Sequence, residues 1–135
     1  MADRPERGLL DTSVVIDLGA IPADALPARV AISAVTLAEL TAGPAASTDP
    51  DVRARRQEQL QRAESTFSPL PLDVGAARAC GRIVAAVVAA RRKPRGARAL
   101  DLLIAATALA HELPLYTRNP AEFIGLESLI EMHEV

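Results

Sequence analysis

Gly8-Leu9-Leu10-Asp11, followed at once by Thr12-Ser13-Val14-Val15-Ile16, sets a short apolar run, an acid, two hydroxyls and a second apolar run in nine residues. The first run reads as a brief buried strand that ends on Asp11. Open parallel sheets place their ligand crevice beyond the carboxyl ends of their strands, so an acid there is a candidate site residue. Asp11 has a plainer reading too, as the N-cap of the helix that follows.

Outward from this segment, short β-like runs alternate with helical ones. Arg29-Val30-Ala31-Ile32-Ser33 reads as a second strand, and Ser33 or Ala34 opens a helix stopped by Gly43-Pro44. Asp49-Pro50 starts a charged surface helix that runs to Phe67. Pro69 to Leu72 reads as a short edge strand. Asp73 then caps a long helix in which Ala76, Cys80, Ile83, Val87 and Ala90 recur at helical spacing, with Arg91-Arg92-Lys93 at its C-terminal dipole and Pro94 beyond. Ala99 to His111 is apolar on nearly every side, which predicts a buried helix. Pro114–Thr117 and Leu129–Met132 read as the last two strands. The expectation is one α/β domain over residues 1–135: a mostly parallel central sheet with helices on both faces.

Composition narrows the function classes. The chain has 135 residues, 50% of them hydrophobic and 24% charged, which is globular and large enough for a core without staples. Aromatics are only 2%, too few for a base-stacking platform. One cysteine and two histidines cannot supply an ordinary zinc site or an internal disulfide. The net charge of −2 means that a nucleic-acid partner requires a local basic patch. No apolar run approaches the ~18 residues of a membrane span, and MADRPERG lacks a signal peptide's apolar region. The expected location is therefore cytoplasmic.

Three acids lie in apolar surroundings: Asp11, Glu39 and Asp101. Glu39 shares a helical face with Val35, Ala38 and Ala42, although a short helix that rolls half a turn would leave it solvated. Asp101 opens the most apolar helix, where the helix dipole alone would favour an acid. Carboxylates gathered in one crevice repel, and a divalent cation relieves that repulsion. Oxygen ligands without His or Cys suit Mg²⁺ or Mn²⁺.

These segments, taken in order, resemble the PIN-domain nucleases, specifically the VapC-type toxins of bacterial toxin–antitoxin pairs. Leu9-Leu10-Asp11-Thr12-Ser13-Val14-Val15-Ile16-Asp17 is similar to their opening strand, and Ser33-Ala34-Val35-Thr36-Leu37-Ala38-Glu39-Leu40 to their second strand and helix. Asp101-Leu102-Leu103-Ile104-Ala105-Ala106-Thr107-Ala108 resembles the helix with the next acid, and Thr117-Arg118-Asn119-Pro120-Ala121-Glu122-Phe123 the closing turn. The resemblance implies Mg²⁺- or Mn²⁺-dependent endoribonuclease activity through an activated water. It also implies a homodimer, a cognate VapB-like antitoxin, and a site of Asp11, Glu39 and Asp101 as metal ligands with Asn119 as a further catalytic position. Asn119 stands where the family often has Asp, and Glu122 where it often has Asp before Phe. Thr12 and Thr117 are candidates for orienting a carboxylate, or for bonding backbone. Arg91, Arg92, Lys93, Arg95 and Arg98 beside Asp101, with Arg118 beside Asn119, are candidate phosphate contacts or solvated charges. His111 and His133 read as a helix-end and a tail residue. A metal-dependent phosphohydrolase of another substrate and a catalytically weak PIN-fold binding protein are the alternatives. The sequence shows no Gly-rich phosphate loop for the first, while Asn119 makes the second conceivable.

Overall fold

Leu9 and Leu10 are both fully buried, yet they belong to different cores. Successive strand residues point to opposite faces, and an all-parallel sheet must be covered on both. The computed structural model describes residues 5–96 and 98–135 of the chain. Met1–Arg4, part of the segment read for a signal peptide, lies outside the described residues, as does Ala97.

The sheet has four strands: β1 (Arg7–Leu10), β2 (Arg29–Ile32), β3 (Leu115–Thr117) and β4 (Met132–Glu134), in the order β2-β1-β3-β4. All pairs are parallel, with Leu10 opposite Ile32 on one side and Tyr116 on the other. Among the described residues five α-helices connect them: α1 (Thr12–Ile16), α2 (Ala34–Ala42), α3 (Pro50–Thr66), α4 (Val74–Ala89) and α5 (Arg98–Ala110). One core packs Leu9 with Ala79, Ile83 and Val87 of α4 and with Leu102 and Ile104 of α5. The other packs Leu10 and Tyr116 with Leu60 and Ala63 of α3 and with Phe67. Among the described residues no helix is long and apolar enough to cross a membrane.

Several boundaries differ from the sequence expectation. Asp11 lies just past β1, as the N-cap of α1 rather than the last strand residue. Pro69–Leu72 does not pair as a strand. It contributes a single bridge from Leu70 to Ser33, because Pro69 and Pro71 have no N–H to donate. The last strand begins at Met132, where Leu129–Met132 was expected. Ile130 and partly buried Leu129 pack into the core from the preceding turn, and the backbone of residues 132–134 pairs with β3. On α4 the buried stripe is Ala76, Ala79, Ile83 and Val87, with Ala90 exposed. Arg91 adopts a positive φ of 59° while the Arg92 N–H reaches the Val87 carbonyl, a Schellman-type ending usually given to glycine.

Gly125, at φ 100°, is one glycine the fold requires. A Cβ there would lie 2.8 Å from the Ala90 Cβ, so the turn after Phe123 can close on the end of α4 only without a side chain.

Candidate active site

In the order β2-β1-β3-β4, the chain leaves β1 toward β2 and returns later on the other side of β1. The crevice of a parallel sheet opens at that reversal, beyond the ends of β1 and β3. Asp11 follows β1 directly and Thr117 ends β3. They meet across the gap, where the Thr117 hydroxyl donates to Asp11 Oδ2 at 2.5 Å. Asp11 Oδ1 accepts from the Ser13 hydroxyl at 2.6 Å and from the Val14 N–H at 3.1 Å. Asp11 is therefore the cap of α1, and the same carboxylate ties the end of β1 to the end of β3. A carboxylate has about four lone-pair positions, and three of those of Asp11 are taken.

Glu39 comes from the middle of α2 and is half-buried. Its Oε1 accepts a 2.7 Å bond from the Thr12 hydroxyl, which also lies 3.1 Å from the Thr36 hydroxyl. The helix rolls differently from the expected face. Val35, Thr36 and Leu40 are buried, while Ala38 and Ala42 are exposed. Glu39 thus sits at the edge of the buried stripe, held toward the crevice by Thr12.

Asp101 occupies the first turn of α5. Its carboxyl is pushed up to about 6, first by burial and then by the negative charges of Glu39, Asp11 and Glu122, against the opposing charge of Arg98. Acids from three distant chain segments thus share one electrostatic neighbourhood. Asp101's neighbours Leu102 and Ile104–Ala108 are buried as expected, although Leu100 is exposed.

Asn119 lies on the rim. Its backbone N–H donates to the Thr117 hydroxyl at 2.9 Å, and its side chain makes no capping bond. One short turn later, Glu122 pairs with Arg98 at 3.7 Å. His111 is about ten residues beyond Asp101, so roughly 15 Å away along the axis. His133 stacks on Tyr116 with ring centroids 4.6 Å apart. His111 is thus too far along the helix to act on Asp101, and His133 is engaged by Tyr116 and by Glu131 at 3.0 Å. Sequence reasoning did not single out Ser13, whose hydroxyl accepts from the Arg118 N–H at 3.1 Å while it holds Asp11. Its position two residues after an acid, at a helix start, was the available signal.

Among the described residues no three of His, Cys, Asp and Glu form a ready-made cation cage. The acids instead face one another at Coulombic range, which suits a cation that keeps several waters and takes only one or two carboxylates directly, as Mg²⁺ does.

The model of the PIN domain matches residues 8–123. The chain belongs to the PIN-domain family. It is 38% identical to Ribonuclease VapC5 of Mycobacterium tuberculosis over 130 residues, covering 94% of this chain and 93% of that protein. Identity to Ribonuclease VapC8 of the same organism is 41% over 103 residues, 75% of this chain and 89% of the relative. Among solved structures, VapBC-5 of M. tuberculosis, a member of the VapBC toxin–antitoxin family, superposes at a TM-score of 0.78 with 33% identity, covering 97% of this chain and 100% of that one. FitAcB from Neisseria gonorrhoeae superposes at 0.71 with 27% identity over 93% and 96% of the two chains. This PIN domain therefore falls within the VapC group, and its all-parallel sheet with helices on both faces is the fold of the group.

Proposed function

We propose that this PIN domain is an Mg²⁺- or Mn²⁺-dependent endoribonuclease that serves as the toxin of a type II toxin–antitoxin pair in the cytoplasm. The observation that carries the reading is that Asp11, just past β1, is held by Thr117 at the end of β3, where the sheet order reverses. Asp101 lies near enough that its carboxyl, raised first by burial, is raised further by Glu39 and Asp11. Its VapC relatives are ribonucleases by name.

Asp11, Glu39 and Asp101 would hold the cation. When bound, it supplies positive charge that acidifies a water and neutralises charge building on a phosphodiester. The chain's own residues do the rest. Thr117 and Ser13 fix both oxygens of Asp11, and Thr12 aims Glu39, so the ligands are oriented before substrate arrives. Asn119 offers an amide N–H to a phosphate oxygen without adding a fourth negative charge. Buried Ile104 and Ala105 behind Asp101 exclude bulk water on that side, which strengthens each charge interaction. Purified protein should cleave end-labelled RNA with Mn²⁺ and stop on chelation. Hydrolysis of a small phosphoester with RNA untouched would transfer the site to the rival phosphohydrolase reading.

The partners follow from uncovered surface. A cleft of about 240 Å³ between α1 and α3, lined by Val15, Ile16, Leu18, Ala63 and Phe67 with Arg62 on its edge, would receive a VapB-like antitoxin segment. The similar VapBC-5 structure, from a toxin–antitoxin system, supports that partner. The outer face of α4 exposes Val84 (38%) and Val88 (55%) one turn apart, and Leu100 (44%) is exposed on α5, to which α4 packs. A second copy of the chain is the proposed cover. Val88→Asp should then convert a dimer to a monomer in light scattering at tens of micromolar, with its circular dichroism unchanged. A wild-type protein that is already monomeric there would remove the dimer.

A further inference from the structure

We propose that Arg98 is a catalytic residue of this site, released from Glu122 to grip the phosphate at the bond being cut; the inference rests on the ribonuclease reading above. Arg98 is the first residue of α5, one turn before Asp101, with its side chain 22% exposed. Its single ionic partner among the described residues is Glu122, and the separation of 3.7 Å exceeds a hydrogen bond. The Nε of Arg98 is occluded and has no hydrogen-bond partner. A structural arginine at such depth ordinarily satisfies its donors, most often as a two-pronged fork on a carboxylate. Arg98 is held near an acid without being used by it.

The surroundings give that loose hold a use. Arg92 Nη2 donates to the Ala121 carbonyl at 3.3 Å, and Arg118 pairs loosely with Asp17 at 3.5 Å. Two further arginines thus flank the Asn119–Glu122 turn, Arg92 from just beyond α4 and Arg118 from the residue before the turn. A strand laid across the acids meets positive charge on this rim, on a protein whose net charge is negative. Arg98 stands nearest to Asp101 in the chain, so it is the one placed to reach the reacting phosphate. Glu122, longer than the Asp often found there, reaches Arg98 and keeps it parked while the site is empty of substrate. Phosphate offers the planar guanidinium a fork of oxygens that Glu122 does not use. Arg98 forms and breaks no covalent bond and keeps its protons throughout. It neutralises charge on a non-bridging oxygen while a bond forms from water's oxygen to phosphorus and the bond from phosphorus to the ribose oxygen breaks, the proton lost by water being made up on that ribose oxygen.

The test measures cleavage of a labelled RNA by the full chain with Mn²⁺, together with the Mn²⁺-induced shift in melting temperature. Arg98→Ala should lower kcat about 10²–10³-fold, the range for losing one donor aimed at developing charge, with KM moved far less. Arg98→Lys restores charge without the fork and should still fall about tenfold. Both variants should keep a wild-type Mn²⁺ shift, because the acids remain in place. Glu122→Gln frees Arg98 and should lower KM a few-fold; a merely structural pair predicts that it harms kcat as much as Arg98→Ala. An Arg98→Ala protein with a normal Mn²⁺ shift and wild-type kcat overturns the inference and leaves the ribonuclease reading standing. Where Arg98→Ala does not fold, Arg98→Lys decides: wild-type kcat overturns the inference, and a tenfold loss with a normal Mn²⁺ shift supports it. A wild-type protein that cuts no RNA under any metal brings down the reading and the inference together.

Discussion

Asp11→Ala and Asp101→Ala should each reduce RNA cleavage by at least about 10²–10³-fold, the scale for losing a group that acts on charge in the transition state. Glu39→Ala should follow closely. The reasons differ by residue. Asp11 is held by Thr117, Ser13 and the Val14 N–H, so its removal deletes a rigid ligand and leaves two hydroxyls without their acceptor. Asp101 has its carboxyl raised by burial and then by the negative charges around it, a cost that a cation relieves. Gel analysis of end-labelled RNA with Mn²⁺ checks all three, with a mock purification from cells that lack the protein to expose contaminating nuclease. Undiminished cleavage by Asp101→Ala would remove that residue from the reaction.

The second large effect is a reversal of stability order. Asp101 has a carboxyl of about 6 in the folded chain against 3.8 ordinarily, so the folded state holds the extra proton between those values. The stability it contributes is complete below about pH 4 and lost as pH rises through about 6. Two pH units correspond to about 3 kcal/mol, which solvent screening at a half-exposed crevice and the helix dipole's favour for an acid reduce to about 1 kcal/mol. In chelator at pH 7.5, Asp101→Asn should therefore melt a few degrees above wild type. At pH 4 the difference should vanish. Mn²⁺ at a hundred times its dissociation constant adds about 2.7 kcal/mol to wild type and far less to the variant, which puts wild type on top. Scanning calorimetry in the two buffers reads both signs. A variant less stable than wild type in chelator at pH 7.5 would mean that Asp101 is a helix-start acid and nothing more.

Much of this was legible in the residues, and most of the exceptions share a cause. The strand–acid–hydroxyl run at Leu9–Ser13 and the caps Ser33, Asp49 and Asp73 depend on local chemistry, and each appears where its side chain dictates: all three accept from backbone N–H groups of the helices they start. The roll of α2 was not local. Which face it buries is decided by what α3 and α5 present to it, so Thr36 went inside and Ala38 outside although Ala is the less polar. The last strand was misplaced for the same kind of reason. His133 carries no strand signal, and its place is set by pairing opposite Tyr116 in β3 and by stacking on that ring. In the site, the three acids were visible because acids in apolar company are expensive. Thr12 and Thr117 were legible only as candidates, because the acids they bond lie 27 and 106 residues away, and the pairing of Arg98 with Glu122 was not legible at all. Ser13, two residues from Asp11, was missed although its contact is local.

Asp11, Glu39 and Asp101, carried by three separate parts of the chain, are proposed to form one cation site. Titration of Mn²⁺ followed by electron paramagnetic resonance measures this without reference to substrate. Wild type should bind Mn²⁺ at one saturable site, weakening below about pH 6 as Asp101 takes up its proton. Asp11→Asn, Glu39→Gln and Asp101→Asn, each close to the original shape, should all lower the affinity of that site by about tenfold or more, the usual effect of disturbing a ligand or its support. Wild-type affinity retained in any one of the three would show that its carboxylate is not part of the site, and retention in all three would contradict the account.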